Sequence, residues 1–438
     1  MTGQNQKGVC IKKFKLTVCG AGPAGISPLV HLEEKSLLDT LLNQGVCVAE
    51  ASAKIGSGTI GKYQITANSL GKIFFEILGK QTRLHSYLRK RASYHELMKY
   101  YDEAPPLPLV GEFLEDIGKF IAQKIESNPC CQIQRLTSVT KIRIREDGLF
   151  EISLSPLYQQ GDPETILSEK ILYNLGGAQP QVYPTLSGLS ADNIINSGDF
   201  ITGVFDNKLA HLLSNSSKPI SISIIGGSHS GFSVLYRLKN QFGLLNSEKA
   251  KIQMLSRSSI RLFYNTRKEA MLDGYTFEDD DVCLSSDRVN RYSGLRYDSF
   301  NLAKEVLSGL YQNFALVRSN AEQSAELSKS DLIIVCTGYT HRAVELLDKN
   351  DEPLAFLYDN GCLKTNERCN PLLTDGQPLK NFYQYGLGAG LKTGGSNYGE
   401  VSFKGRIDGV WVYQHLIPEK IFDRDLLMNE VAKNPVAL

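Results

Sequence analysis

The 438-residue sequence is nearly without net charge: 48 Lys and Arg against 47 Asp and Glu leave +1. It has no basic tail and no long run of one sign, so the electrostatic footprint of a nucleic-acid or strongly charged membrane partner is missing. No apolar run reaches the length of a membrane span, and the segment ahead of Gly20 holds no apolar signal core. A soluble, cytoplasmic chain with no membrane partner is expected. Nine cysteines are present, an odd number, and no two stand at C-x-x-C spacing. That excludes the dithiol motif of a disulfide reductase; Cys19, Cys47 and Cys336 lie in apolar runs and read as reduced core thiols. Seven histidines are scattered without H-E-x-x-H or paired cysteine ligands, so no metal is expected. No low-complexity tract interrupts the chain, and 42% hydrophobic against 22% charged residues suffices for sizeable cores. The length corresponds to roughly two to four domains.

One pattern occurs twice. The β-prone run "FKLTVC" (Phe14 to Cys19) leads into Gly20, Gly22 and Gly25 at G-x-G-x-x-G spacing, and "ISPLVHLEEK" then carries a helical pattern. Gly20 permits a tight turn, Gly22 lets the backbone approach a pyrophosphate, and Gly25 lets the helix pack on the strand. The helix N-terminus then favours the phosphate charge. A second strand, "GVCVAEAS", ends at Glu50, placed to hydrogen-bond a ribose hydroxyl; its distance from Gly20 exceeds the usual spacing by about ten residues, which requires a longer intervening segment. These residues specify an adenine dinucleotide.

The second copy begins with "PISISII" (Pro219 to Ile225) and continues "GGSHSGF". Gly226, Ser228 and Gly231 fill the three fingerprint positions, with Ser230 beside Gly231 at the helix start. A serine in the middle position keeps an ordinary backbone, and its hydroxyl suits a phosphate. His229 in this loop reads as a positional or phosphate-edge residue. The following strand, "AKIQMLSRS", ends in Ser256-Arg257 with no acid, and Arg261 follows. A cation there suits a 2′-phosphate, so NADPH is expected over NADH. A chain that holds both sites can bring two dinucleotides together.

"GAGPAG", with Pro23 and Ala24 between the glycines, resembles the FAD fingerprint of flavoproteins with two dinucleotide-binding domains. The resemblance implies FAD at the first site. It also implies that the Gly/Ser/Asn-rich segment after Glu50 crosses toward the isoalloxazine ring, with Asn68 and Ser69 as contacts near it. A late strand-to-helix turn, "LKNFYQYGLGAGLKTGG", would contact the flavin pyrophosphate and ribityl chain through Gly386 and Gly388. "KSDLIIVCTGYTHRA" resembles the D-x-x-x-L-A-T-G-Y motif of N-hydroxylating monooxygenases of the lysine and ornithine type. Asp331, Thr337, Gly338 and Tyr339 match; Cys336 stands where alanine is usual, and Val344-Glu345 where His-Pro is usual. The Baeyer–Villiger signature is missing from "DFITGVFDN" (Asp199 to Asn207).

The expected fold is α/β, with two Rossmann-like domains and a small β-meander. Residues 1–190 form the first FAD segment, 191–350 the NADPH domain, and 351–438 the second FAD segment. "VTKIRIREDGLFEISLSP" reads as a hairpin turning at Asp147-Gly148, and Pro105 to Ser127 as a proline-stopped loop and an amphipathic helix. "GRIDGVWVYQHLI" (Gly405 to Ile417) reads as a helix with Trp411 in the core. The polar stretch from Thr276 to Asp298 offers Asp279, Asp280 and Asp281 to an amine, or Arg291 and Arg296 to a carboxylate; for any one of them an ordinary ion pair in a solvated loop is the commoner reading. Two nucleotide sites without a catalytic triad imply an FAD-dependent oxidoreductase reduced by NADPH. The resemblance points to a monooxygenase acting through a C4a-hydroperoxyflavin, with molecular oxygen and an amine or other small nucleophile as substrates. An NADPH-dependent flavin reductase and a non-catalytic redox sensor stay open, as does the oligomeric state.

Overall fold

The computed structural model describes residues 11–158, 163–179, 191–318, 327–359, 362–392 and 399–422. Gly394 and Gly395 of the late glycine-rich stretch, and Cys10, lie outside them. Among the described residues two large sheets form, with three small two-stranded ones beside them. β1 (Lys13–Cys19) leads through α1 (Pro23–Glu34) to β2 (Val46–Glu50). The long helix α2 (Leu107–Glu126) precedes β3 (Gln132–Arg135). Then β4 (Thr137–Ile144), β5 (Phe150–Pro156) and β6 (Glu164–Tyr173) form an antiparallel meander. The turn between β4 and β5 falls at Asp147-Gly148, where Gly148 has φ +78°. β6 also lies parallel to β1, so the meander continues the dinucleotide sheet.

The chain then builds a second sheet from β7 (Ile194–Asn196), β8 (Ile220–Ile225), β9 (Ala250–Ser256), β10 (Phe314–Arg318) and β11 (Leu332–Val335), with α3 (His229–Asn240) after β8. All its strand pairs are parallel, in the order β10-β9-β8-β11-β7. It returns to the first sheet on β12 (Glu345–Leu347), beside β4, and β13 (Phe382–Gln384), beside β6. The order there is β12-β4-β5-β6-β1-β2-β3.

Separate cores hold the two units. Leu29, Val48, Phe113, Ile117 and Ile417 pack between α1, α2 and one face of the first sheet. Phe14, Ile152, Ile171 and Phe382 fill the other face, under the meander. Ile222, Ile224, Phe232, Leu235, Met254 and Ile334 pack the second unit. No helix among the described residues is long and apolar enough to cross a membrane.

The late helix departs from expectation. Arg406–Ile407 is a short strand paired with Leu391–Lys392, and helix begins only at residue 410. A π-helical turn, Val412–Leu416, runs into the α-helix Ile417–Ile421. Pro418 explains the irregularity: it has no N–H to give, and its ring crowds the carbonyl one turn back. That carbonyl, on Gln414, lies 3.0 Å from His31 Nδ1. Trp411 is not core: it is half-buried at the core's edge, and its indole N–H donates to Glu76 at 2.6 Å.

Candidate functional site

The first turn is shaped by close backbone approach. Gly20 has φ +86°, and a Cβ there would stand 2.3 Å from the Asn174 carbonyl oxygen. A Cβ on Gly25 would stand 1.8 Å from the Gly20 oxygen, so α1 packs directly on the turn. Gly22 differs. It caps α1 with φ −70°, and its Cβ would come no nearer than 3.4 Å to protein. A Cβ there would stand in ordinary contact with the Gly58 backbone, beside the helix end where Pro23 and Ala24 form the first turn.

Glu50 ends β2 in contact with this turn. It is buried, and its carboxylate accepts the Ala21 N–H at 2.6 Å and the Ser52 N–H at 2.8 Å. Burial raises its pKa, opposed by those two bonds. Glu50 therefore braces the turn and keeps further lone pairs for a sugar hydroxyl. The loop after it crosses the turn: Gly56 N–H donates to Ala21 O at 2.8 Å, and Gly58 lies over Gly22.

The late turn closes the same site. Gly386 has φ +99°, and its Cβ would lie 3.2 Å from Ala24 Cβ. Gly388 has φ +85°, and its Cβ would lie 2.3 Å from the Thr340 carbonyl carbon. The turn is thus seated between α1 and the residues following Thr337–Tyr339.

The second turn repeats the construction. Gly226 has φ +118° and faces the Cys336 oxygen, 2.5 Å from where its Cβ would be; a Cβ on Gly231 would stand 2.0 Å from the Gly226 oxygen. Ser228 caps α3 in extended backbone and is exposed, with Ser230 half-buried in the first helical turn. Ser256 packs beneath, its Oγ 2.7 Å from a Cβ on Gly227, and donates to Ser258 O at 2.7 Å. Arg257 is exposed beside the turn. Arg261 is not available to a phosphate: it donates to Ser402 Oγ at 2.8 Å and lies 3.6 Å from Asp281. His229 is half-buried, and its pKa is pushed down to about 4 by burial and then by Arg296. It is neutral at physiological pH and adds no charge to an anion.

Thr337, Gly338 and Tyr339 follow β11 at the junction of the two units. Gly338 has φ +94° with open space around it. The Tyr339 hydroxyl bonds Tyr63 from the first unit and Ser197 from the second, and burial pushes its pKa up. Asp331 accepts the Ser221 N–H at 2.8 Å and ties β11 to β8. Asn68 is exposed and Ser69 half-buried. Thr66 beside them donates to Asp298 at 2.6 Å, which sets the pair near the seam between the units. In the polar stretch, Asp281 closes a capping box with Glu278, Asp279 pairs with Arg267, and Arg296 lies over the Phe263 ring and bonds the Arg291 carbonyl.

Three residues here are new relative to the sequence reading. Asn174 packs against Gly20 and meets the Tyr385 hydroxyl. Gln179 bonds Ser197 Oγ and the Gly198 N–H, both at 2.8 Å, at the start of helix Ser197–Ile201. Asp408 stands against Gly388 and Gly390. The available signals were a polar residue directly after a buried strand and an acid directly before a glycine and a helix.

No family model matches the chain. A curated relative, the CMP-5′-(3-aminopropyl)phosphonate hydroxylase of Streptomyces rubellomurinus, is 30% identical over 440 residues, covering 95% of this chain and 98% of that protein. Among solved structures, the fold is similar to an ornithine hydroxylase from Pseudomonas aeruginosa, with TM-score 0.56 and 14% identity over 93% of this chain and 98% of that one. It is also similar to the FAD-bound cadaverine monooxygenase of desferrioxamine biosynthesis from Erwinia amylovora, with TM-score 0.58 and 10% identity over 97% and 95% of the two chains.

Proposed function

Since the chain belongs to the FAD- and NADPH-dependent N-hydroxylating monooxygenases, we propose that it places one oxygen atom of O₂ on the nitrogen of a small primary amine. The overall reaction balances as R–NH₃⁺ + O₂ + NADPH giving R–NHOH + H₂O + NADP⁺. FAD, when bound, would supply the redox chemistry between NADPH and O₂. The protein supplies binding, orientation and exclusion of water.

In this reading residues 1–190 and 351–438 hold FAD and residues 191–350 hold NADPH. Gly20, Gly22, Pro23, Ala24 and Gly25 cradle the FAD pyrophosphate, Glu50 takes its ribose, and Gly386 and Gly388 border the flavin half. Gly226, Ser228, His229, Ser230 and Gly231 cradle the NADPH pyrophosphate, with Ser256 beneath and Arg257 on the 2′-phosphate. Thr337, Gly338 and Tyr339 stand where the two cofactors meet, and Asn68 and Ser69 lie toward the ring. The relative's substrate carries its amine on a propyl chain attached to a cytidylylated phosphonate. An amine ending a short alkyl chain with an anionic group at the far end is therefore the substrate class assigned to this chain.

The observation that carries the reading is the pairing of full-length likeness to a hydroxylase with two glycine turns built alike, each running directly into a helix N-terminus. The test is oxygen uptake by the FAD-loaded protein with NADPH, alone and with CMP-5′-(3-aminopropyl)phosphonate, ornithine, lysine or cadaverine, with hydroxylamine assayed as product. Amine-stimulated uptake with stoichiometric hydroxylamine supports the reading. NADPH oxidation that no amine accelerates, with fast transfer to artificial acceptors, assigns a reductase instead.

A further inference from the structure

Two cofactors held by separate units react only if those units keep one relative arrangement. A misplacement of about 1 Å between reacting groups costs roughly a hundredfold in rate. Contacts across the seam differ in kind. The Gln64 N–H donates to the Ile201 carbonyl at 2.8 Å, main chain to main chain. Thr66 and Asp298, joined at 2.6 Å, are both half-buried, so water can replace either partner. The segment 399–403 stands apart from these. It belongs to the first unit: Phe403 packs on that core, and Arg406–Ile407 pairs with Leu391–Lys392, just past Gly386 and Gly388. Its main chain nevertheless runs along the second unit. Leu284 N–H donates to Gly399 O at 3.2 Å, Ser402 N–H to Asp280 O at 2.9 Å, and Glu400 bridges Cys283 in antiparallel fashion.

Glu400 is the charged group in this segment with no access to water: it is 1% exposed. Its Oε1 accepts the Tyr292 N–H at 2.9 Å, the Ser293 N–H at 2.8 Å and the Ser293 hydroxyl at 2.9 Å. Its Oε2 accepts the Tyr292 N–H at 3.2 Å. All of these donors are neutral, and all belong to the second unit. The Tyr292 ring reaches back to the first core, its centroid 5.8 Å from that of Phe403. Arg261 reinforces the joint, donating to Ser293 Oγ at 3.3 Å and to Ser402 Oγ at 2.8 Å. The next residue is Gly294, whose backbone faces the ring of His229, the first residue of α3. Glu400 therefore grips, from the flavin side, the stretch of chain that touches the second glycine turn.

We propose that Glu400 is a positioning residue for hydride transfer: it aligns the second unit on the first so that nicotinamide meets flavin. The step it serves is NADPH + FAD + H⁺ giving NADP⁺ + FADH₂. Glu400 acts on it through residues 292–294. This rests on the assignment of FAD to the first turn and NADPH to the second. A carboxylate out of water is costly unless donors meet it. Here they meet it in one docked arrangement. A slip of about 1 Å carries these bonds beyond hydrogen-bonding reach while the surrounding protein still shuts water out. The buried charge thus penalises near-miss docking far more steeply than a half-buried pair such as Thr66 and Asp298, which water can rescue.

The test mixes FAD-loaded wild type, Glu400→Gln and Ser293→Ala anaerobically with saturating NADPH and follows flavin bleaching. Glu400→Gln keeps the shape but replaces one acceptor oxygen with an NH₂ that opposes the main-chain N–H donors. Its flavin is expected to be reduced roughly tenfold to a hundredfold more slowly. Kd for FAD and Kd for NADP⁺, measured by titration without turnover, should stay within about twofold of wild type. Ser293→Ala, which removes one donor, should slow the step in the same sense by a smaller factor. Loss of a merely structural bond would lower the melting temperature and leave the reduction rate of the folded enzyme unchanged. Reduction of Glu400→Gln at the wild-type rate therefore overturns the role, as does slow reduction accounted for by lost FAD or NADP⁺ binding. If Glu400→Gln does not fold, Ser293→Ala decides alone, and a wild-type rate there overturns the role. Wild type whose bound flavin NADPH does not reduce overturns both the role and the cofactor assignment beneath it.

Discussion

Substituting alanine at Gly22 and at Gly25 separates the phosphate cradle from the fold that carries it. At Gly25 the new methyl would sit 1.8 Å from the Gly20 oxygen. Restoring ordinary contact needs a displacement of about 1.5 Å between helix and turn. Overpacking of that kind costs about 1–3 kcal/mol. At Gly22 the nearest protein atom is 3.4 Å away and φ is −70°, which alanine adopts without strain. FAD-free Gly22→Ala is therefore expected within about 0.5 kcal/mol of wild type. In the proposed cradle the methyl, set between the turn and the Gly58 backbone, crowds the pyrophosphate at the helix end. Losing one or two charge-assisted bonds to helix N–H groups, each worth about 1.5–3 kcal/mol, weakens FAD by roughly tenfold to a hundredfold or more. Thermal melts of the FAD-free proteins and flavin fluorescence titrations measure the two effects independently. Gly22→Ala that binds FAD like wild type places the pyrophosphate elsewhere and refutes the cradle. Gly25→Ala that melts like wild type refutes the packing.

Two further outcomes follow from the second turn. Arg257→Ala should raise KM for NADPH about tenfold and leave KM for NADH unchanged, the low end of a charge-assisted bond because the side chain is exposed; equal effects on both cofactors would remove Arg257 from the 2′-phosphate. His229 has its pKa lowered on folding to about 4, so the unfolded chain takes up its proton first as pH falls. Wild type should lose stability between about pH 6.5 and pH 4 that His229→Asn retains, and parallel melting curves across that range would contradict the burial assigned to the ring.

Glycine made the site readable from sequence. Gly20 and Gly25, like Gly226 and Gly231, are demanded by backbone contacts within a few residues, so their spacing survives as a linear signal. Apolar runs before each turn then announced the strands. The contacts that define the rest of the site are long-range. Asn174 meets Gly20 from the end of the neighbouring strand β6, about 150 residues on, Gln179 caps a helix of the other unit, and Asp408 pairs with a turn some twenty residues earlier. No local pattern encodes those meetings. Arg261 illustrates the converse. One turn beyond Arg257, it looked equally fit for a phosphate, yet Ser293, Ser402 and Asp281 claim it. The late helix was drawn too long because alternation around Ile407 was read as helical periodicity, while Pro418 marked the irregular turn that was found.

The second sheet is entered on β7 and left on β11, and these two strands are neighbours, Ile194 beside Ile333. Strands this short bring the way in and the way out within about 10 Å of each other. The second unit is therefore spliced into its host at essentially one spot, yet it is also stitched along a seam: the Gln64 N–H donates to the Ile201 carbonyl at 2.8 Å, Thr66 to Asp298 at 2.6 Å and Arg261 to Ser402 at 2.8 Å. Covalent joints and seam bonds together fix how the two glycine turns face one another.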